Sequence, residues 1–82
     1  MARIFALDTR AVFKGTGTLV AVSSYHGLVI TNWHVVRDAK DAVLVQFPDG
    51  FASPATILKV DRDWDLAALA IWRPRAKPVP IA

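Results

Sequence analysis

Cysteine is absent from this chain of 82 residues. Without it the fold has no disulfide, and cysteine-ligated zinc fingers and iron–sulfur clusters are excluded. His26 and His34 are the only imidazoles in the sequence. A metal site would therefore need aspartates to converge on them, and we expect neither a metal nor a cofactor. A chain without cysteine suits the cytosol and the periplasm equally.

Long apolar runs are also missing. The longest, residues 66–72, would cross only a fraction of a bilayer as a helix. Residues 1–7 carry an early arginine but too few apolar residues for the core of a signal peptide. We therefore expect a soluble chain with no visible signal peptide or transmembrane segment, and its compartment stays unknown.

Glutamate is a third absence, because every acidic residue is an aspartate and the net charge is +3. The basic residues are scattered, apart from Arg73, Arg75 and Lys77, which stand among prolines. A solvated linker explains this cluster better than a nucleic-acid patch. We predict a domain of residues 1–73 followed by a proline-rich tail of residues 74–82, with no nucleic-acid or membrane partner.

The chain is rich in short apolar and β-branched runs separated by turn residues, a pattern typical of a β-sandwich or β-barrel. The predicted strands are residues 18–22 and 28–31, which should form a hairpin, followed by residues 42–47, 51–60 and 66–72. An opening strand near residues 10–13, leading into Gly15-Thr16-Gly17, brings the number to six.

Six antiparallel strands with one apolar face can close into a small Greek-key barrel, which removes exposed edges. Residues 48–50 form a strong turn signal between two of the strands. Pro54 predicts an edge or a bulge in the strand that follows. A short helical turn through His34, Val35 and Val36 is also predicted. The fold class is therefore all-β, a six-stranded antiparallel barrel with one helical turn.

Four segments carry a more specific signal, and they occur in the order GTGTLV at 15–20, LVITNWHVV at 28–36, FPDG at 47–50 and DLAAL at 65–69. Together they resemble the N-terminal half of trypsin-like serine proteases, most closely the bacterial HtrA/Deg type. In that family a Thr-Asn-x-His-Val-Val segment bears the catalytic histidine, and Asp-[Leu/Ile]-Ala bears the triad aspartate. The resemblance covers about residues 15–82 and implies one half of a chymotrypsin-like double barrel.

The resemblance implies catalytic roles for His34 and Asp65. A serine hydroxyl becomes a good nucleophile when an imidazole accepts its proton, and an aspartate orients that imidazole. His34 would be the general base and Asp65 its orienting partner. Asp61 and Asp63 are close in sequence, but only Asp65 directly precedes the Leu-Ala strand.

This chain departs from the family pattern because it lacks the segment that carries the nucleophilic serine. It normally lies in a Gly-[Asn/Asp]-Ser-Gly-Gly segment of the second barrel, whose amides also form the oxyanion hole. The serines here are Ser23, Ser24 and Ser53, and none has such surroundings. Losing the nucleophile and the oxyanion hole costs orders of magnitude in rate. We expect this chain alone to be inactive, its partner to be the missing C-terminal barrel, and its substrate, in the complete enzyme only, to be a polypeptide.

Two other interpretations remain open. One is a non-enzymatic single barrel that binds protein, most simply a second copy of itself, through the apolar surface that would face the second barrel. The other is a barrel that binds single-stranded nucleic acid on its tryptophans. The basic residues do not alternate with aromatics along adjacent strands, which counts against it. We expect His26 on the surface, and Trp33, Trp64 and Trp72 as packing residues, with Trp33 near the cleft.

Overall fold

The strands of this chain close into a barrel that is filled by inward-pointing side chains. The computed structural model describes residues 1–8, 11–37, 39 and 42–79. These residues form six antiparallel strands that neighbour one another in the order β1-β2-β3-β6-β5-β4, with β4 pairing back onto β1. The all-β barrel predicted from the sequence is confirmed. The elements are β1 (Ala2–Leu7), β2 (Val12–Val22), β3 (His26–Asn32), α1 (Trp33–Val36), β4 (Ala42–Gln46), β5 (Ala52–Asp61) and β6 (Leu66–Trp72).

The core consists of the inward side chains of this alternation. On β6, Ala67, Leu69 and Ile71 are buried, whereas Leu66 and Trp72 at the two ends are exposed. Since the side chains of a strand alternate between its two faces, one set fills the barrel and the other set covers its outside. The inward residues of β1 to β4 and of α1 join the same cluster, among them Ile4, Val29, Val36 and Val45, and Ala55 of β5 is partly buried against it.

The predicted opening strand near residues 10–13 is wrong. The first strand is β1 (Ala2–Leu7), and residues 12–13 belong to the long β2, which continues through Gly15 and Gly17. Arg10 lies outside the described residues. The glycines lie within β2 because neighbouring side chains occupy the space a Cβ would need. At Gly15 a Cβ would come within 2.6 Å of Val35 Cγ2, so α1 packs directly on this strand.

Pro54 lies where its missing N–H is tolerated. At this point β5 pairs with β4 through Leu44, while pairing with β6 begins only at Thr56. At Pro54, β5 is therefore an edge on its β6 side only. The bulge of β5 lies further along the strand, between Ile57 and Lys59. Near the proline, the buried Ser53 hydroxyl accepts the Trp72 N–H at 3.0 Å and so acts in place of a strand carbonyl.

The chain after β6 runs along the barrel as far as it is described. Arg73 N–H donates to the Tyr25 carbonyl at 2.9 Å, Pro74 is buried, and Val79 N–H donates to the Leu19 carbonyl at 2.8 Å. The division into residues 1–73 and 74–82 stays a prediction, and residues 80–82 lie outside the described part. Among the described residues, no helix has the length and apolar character needed to cross a membrane.

Candidate active site

The pairing of β3 with β6 brings the two predicted catalytic residues together. These strands run antiparallel, from the His26–Trp72 pair at one end to the Asn32–Leu66 pair at the other. His34 follows β3 and Asp65 precedes β6, so both lie at the Asn32–Leu66 end although 31 positions separate them in sequence.

Asp65 caps the helix that carries His34. The first N–H groups of a helix have no partner within it. Here Trp33 N–H donates to the Asp65 carbonyl at 2.9 Å, and His34 N–H donates to Asp65 Oδ1 at 2.8 Å. The backbone of α1 is therefore held by the residue whose side chain also contacts the imidazole.

The His34 ring is bonded to the same carboxylate. Its Nδ1 pairs with Asp65 Oδ2, so one carboxylate oxygen holds the backbone while the other orients the ring. Since Nδ1 is engaged, Nε2 is the ring nitrogen left to exchange a proton with another group. The His34 side chain is 59% exposed and that of Asp65 39%, so this pair lies open at the surface of the barrel.

Asp65 is held in its charged form. The hydrogen bond from the His34 ring is the main cause that lowers the pKa of Asp65 below its usual value, with the His34 backbone N–H also contributing. Partial removal of water from the carboxylate acts in the opposite direction but does not outweigh these bonds. At neutral pH, Asp65 is therefore an ionised acceptor suited to orienting an imidazole and stabilising its protonated form.

The backbone of Asp65 adopts a left-handed conformation, with φ of 53°. Aspartate tolerates this region better than most residues, and it ends a turn in which Asp65 N–H donates to the Arg62 carbonyl at 3.3 Å. Asp61 has a different role, because its Oδ1 accepts Trp64 N–H at 3.2 Å within the same turn. The contact with His34 thus belongs to Asp65 and not to Asp61.

Trp33 lies beside the pair and packs against the core. Two guanidinium groups lie over its ring, that of Arg37 at 5.9 Å and that of Arg62 at 5.2 Å from the ring centre. The spacing of Arg37, four residues along a helical turn, could have indicated its contact with Trp33. No sequence signal indicated Arg62, which arrives from the turn before β6.

The other tryptophans were predicted as packing residues, and that is wrong for both. Trp64 is 77% exposed, and Trp72 is 57% exposed at the far end of β6. Trp72 stacks on His26, with ring centroids 5.2 Å apart and an interplanar angle of 19°. His26 lies on the surface, as predicted.

The serines of the chain all lie at the opposite end of the β3–β6 pair. Ser23 and Ser24 are in the turn before β3, where Ser23 Oγ accepts His26 N–H at 3.2 Å. Ser53 bonds Trp72 N–H at the far end of β6. Since β3 has seven residues, these groups are separated from His34 by about 20 Å at roughly 3.3 Å per residue.

Comparison with known proteins places the chain in one family. Residues 15–82 match the trypsin-like peptidase domain model. The chain is 35% identical over 79 residues to "Protease Do-like 1, chloroplastic" of Arabidopsis thaliana, which covers 94% of this chain and 18% of that protein. It is 38% identical over 73 residues to the "Probable periplasmic serine endoprotease DegP-like" of Brucella suis biovar 1, covering 89% of this chain and 14% of that one.

A third relative is the "Probable periplasmic serine protease do/HhoA-like" of Haemophilus influenzae, 31% identical over 67 residues, with 82% of this chain and 14% of that protein covered. The chain thus spans less than a fifth of the curated relatives it matches. The matched family model covers most of the chain, and the barrel has the expected form. The chain therefore belongs to the trypsin-like peptidase domain family, and it is related to serine proteases of the HtrA/DegP type.

Proposed function

We propose that this chain is the N-terminal domain of a trypsin-like serine endopeptidase and that it supplies the general base His34 and the orienting acid Asp65. One observation carries the proposal: Asp65 holds both the backbone N–H and the ring Nδ1 of His34, from a position 31 residues further along the chain. This arrangement fixes the orientation of the imidazole, as the aspartate of a catalytic triad does.

In the proposed reaction, His34 Nε2 accepts the proton of a serine hydroxyl as the serine oxygen attacks the carbonyl carbon of a peptide bond. Asp65, ionised and bonded to Nδ1, stabilises the imidazolium that forms. The same proton then passes from Nε2 to the nitrogen of the leaving amine, and a water molecule repeats the sequence on the acyl-enzyme.

The serine and the oxyanion hole are proposed to come from outside these 82 residues. Ser23, Ser24 and Ser53 lie about 20 Å from His34 along β3 and β6, and Ser53 is only 1% exposed, with its hydroxyl donating to the Pro54 carbonyl. At that distance none of them can give its proton to His34 Nε2. The chain alone is therefore expected to be inactive.

The outer face of β3 and β6 supports docking of a second barrel. We define this face as the outward residues Leu28, Ile30, Ala68 and Ala70, which are partly exposed and pair across the two strands. Exposed apolar side chains border it, and a groove of about 220 Å³ opens beside Leu28 and Ala70. The bordering residues are Leu58, Leu66 and Trp72.

A reconstitution experiment tests the proposal. The chain is mixed with the C-terminal protease barrel of the Brucella suis DegP-like relative, and peptide hydrolysis is measured together with labelling by a fluorophosphonate. We expect the serine of the added barrel to be labelled only in the complex. His34→Ala should abolish labelling, whereas His26→Ala, the matched control on the other end of β3, should not.

Two outcomes would contradict the proposal. Labelling of Ser23, Ser24 or Ser53 in the isolated chain would show that the nucleophile is present here. A complex that forms but labels equally well with His34→Ala would show that His34 is not the base.

The second candidate is a self-associating module that binds protein without catalysis. The outer face of β3 and β6 favours it as well, because an apolar surface of this kind can pair with its own copy across a twofold axis. Light scattering across a concentration series distinguishes the two: a dimer that also excludes the added barrel supports this candidate, and a monomer at high concentration contradicts it.

A further inference from the structure

Asn32 stands at the start of α1, where its side chain would ordinarily cap the helix. Asparagine is among the best N-cap residues because its side-chain oxygen accepts an N–H from the first turn. Asn32 has the extended backbone of an N-cap, with φ of −78° and ψ of 137°, yet its side chain makes no capping hydrogen bond. The amide is therefore free to serve another purpose.

The Asn32 amide points to Asp65. Its Nδ2 donates to the Asp65 carbonyl at 3.3 Å, next to the Trp33 N–H that donates to the same oxygen at 2.9 Å. Meanwhile the His34 N–H, which an N-cap side chain could have taken, goes to Asp65 Oδ1. Asp65 thus caps the helix in place of Asn32, and Asn32 holds the residue that does the capping.

The hydrogen bond from Asn32 matters because the backbone of Asp65 has an unfavourable conformation that neighbouring contacts must stabilise. A non-glycine residue at φ of 53° is in a sparsely populated region. Rotation about its backbone would move both the carbonyl and the carboxylate away from α1. Two donors on the carbonyl resist this rotation from one side, while the His34 contacts hold the carboxylate from the other.

We propose that Asn32 is a positioning residue for the His34–Asp65 pair, acting through its amide hydrogen bond to the Asp65 carbonyl. Asn32 touches neither the imidazole nor any reacting atom in this role. Its importance for catalysis rests on the proposed function, but its effect on the pair can be measured in this chain without any catalysis.

Two substitutions separate positioning from helix capping. Asn32→Ser keeps a good N-cap residue, but serine has no side-chain amide to donate to the Asp65 carbonyl. Asn32→Gln keeps an amide donor on a longer side chain but is a poor N-cap. If the amide positions Asp65, the His34–Asp65 pair is weakened in the serine variant and kept in the glutamine variant. If Asn32 acts as a helix cap, the pair is weakened in the glutamine variant and kept in the serine variant.

The readout is the tautomer of the neutral His34 ring, measured from the ¹⁵N chemical shifts of the chain labelled in histidine. Pairing with Asp65 favours the form protonated at Nδ1. In Asn32→Ser we expect the ratio of the Nδ1–H to the Nε2–H form to fall about two- to threefold, the size expected for loss of one exposed hydrogen bond. His26 serves as the internal control and should not change, and circular dichroism should show an intact barrel.

The outcomes are distinct. An unchanged His34 ratio in Asn32→Ser, with a clear Nδ1–H preference in the original chain, overturns the role of Asn32 and leaves the proposed function standing. Loss of the preference in Asn32→Gln but not in Asn32→Ser also overturns it, in favour of capping. If the original chain shows no preference for the Nδ1–H form, His34 is not paired with Asp65, and both proposals are contradicted.

Discussion

The two ends of the β3–β6 pair each carry an exposed histidine, and they differ in what holds it. At one end His34 is bonded to a carboxylate through its ring and its backbone. At the other end His26 stacks on Trp72, and its backbone N–H donates to the Ser23 hydroxyl. Both imidazoles meet solvent, so exposure does not distinguish them. The charged partner delivered by another part of the chain makes one of them a candidate base.

The largest effect should come from removing that charge. In the reconstituted enzyme we expect Asp65→Asn to lower kcat about ten-thousandfold, because an amide stabilises the wrong tautomer and cannot stabilise an imidazolium. Steady-state peptide hydrolysis measures it. His26→Ala, which removes the histidine at the other end, should leave kcat unchanged. Equal losses in the two variants would contradict the distinction between the ends.

The next largest effect should come from filling the space beside the glycine backbone at each end of the β3–β6 pair. Gly15→Ala places a Cβ 2.6 Å from Cγ2 of Val35, a branched side chain with little freedom to move. We expect a loss of about 1–3 kcal/mol in the free energy of unfolding, measured by urea denaturation. At the other end Gly27→Ala places a Cβ 3.0 Å from Leu19 Cδ1 and Pro74 Cδ, a contact that a small shift can relieve.

Gly27→Ala should therefore cost less than Gly15→Ala. The displaced helix should also weaken the His34–Asp65 contact, which would appear in the His34 ¹⁵N shifts of Gly15→Ala alone. A larger loss for Gly27→Ala would show that the packing of α1 on β2 is looser than the distances indicate.

A smaller effect is expected in the pH dependence of stability. The pKa of Asp65 is lowered in the folded chain, so ionised Asp65 stabilises the fold at pH values above its unfolded pKa, and this contribution is lost as the pH falls through the lowered folded value. The stability difference between the original chain and Asp65→Asn should therefore shrink on acidification. Urea denaturation at a series of pH values measures it, and a difference that does not change with pH would contradict the pairing.

The smallest effect should come from the aromatic stack. We expect Trp72→Leu to cost under about 1 kcal/mol, because the pair of rings is exposed. Proton NMR should show the ring-current shift of the His26 protons disappear while the His34 signals stay in place. A change at His34 would mean that the two ends of the β3–β6 pair are coupled through the barrel.

The alternation of apolar residues was enough to predict five of the six strands and the antiparallel barrel. The prediction failed at the start of the chain, where Gly15 and Gly17 were taken to follow a short strand. A glycine in a strand can mark a turn or a close approach, and only the position of the Val35 side chain shows that Gly15 is the second case. The exposed Trp64 and Trp72 were mispredicted for a related reason, since residue type alone does not tell which face a side chain occupies.

By itself the sequence determined which residues could carry the chemistry: a Thr-Asn-Trp-His segment, an aspartate opening the last strand, and no serine in a nucleophile motif. These are local properties, readable from neighbours in the chain. Only the tertiary structure decided that Asp65 caps the helix of His34, that Asn32 turns away from its own helix, and that the serines lie at the far end. Those facts depend on the register between β3 and β6, which is set by closure of the whole barrel and not by any one segment.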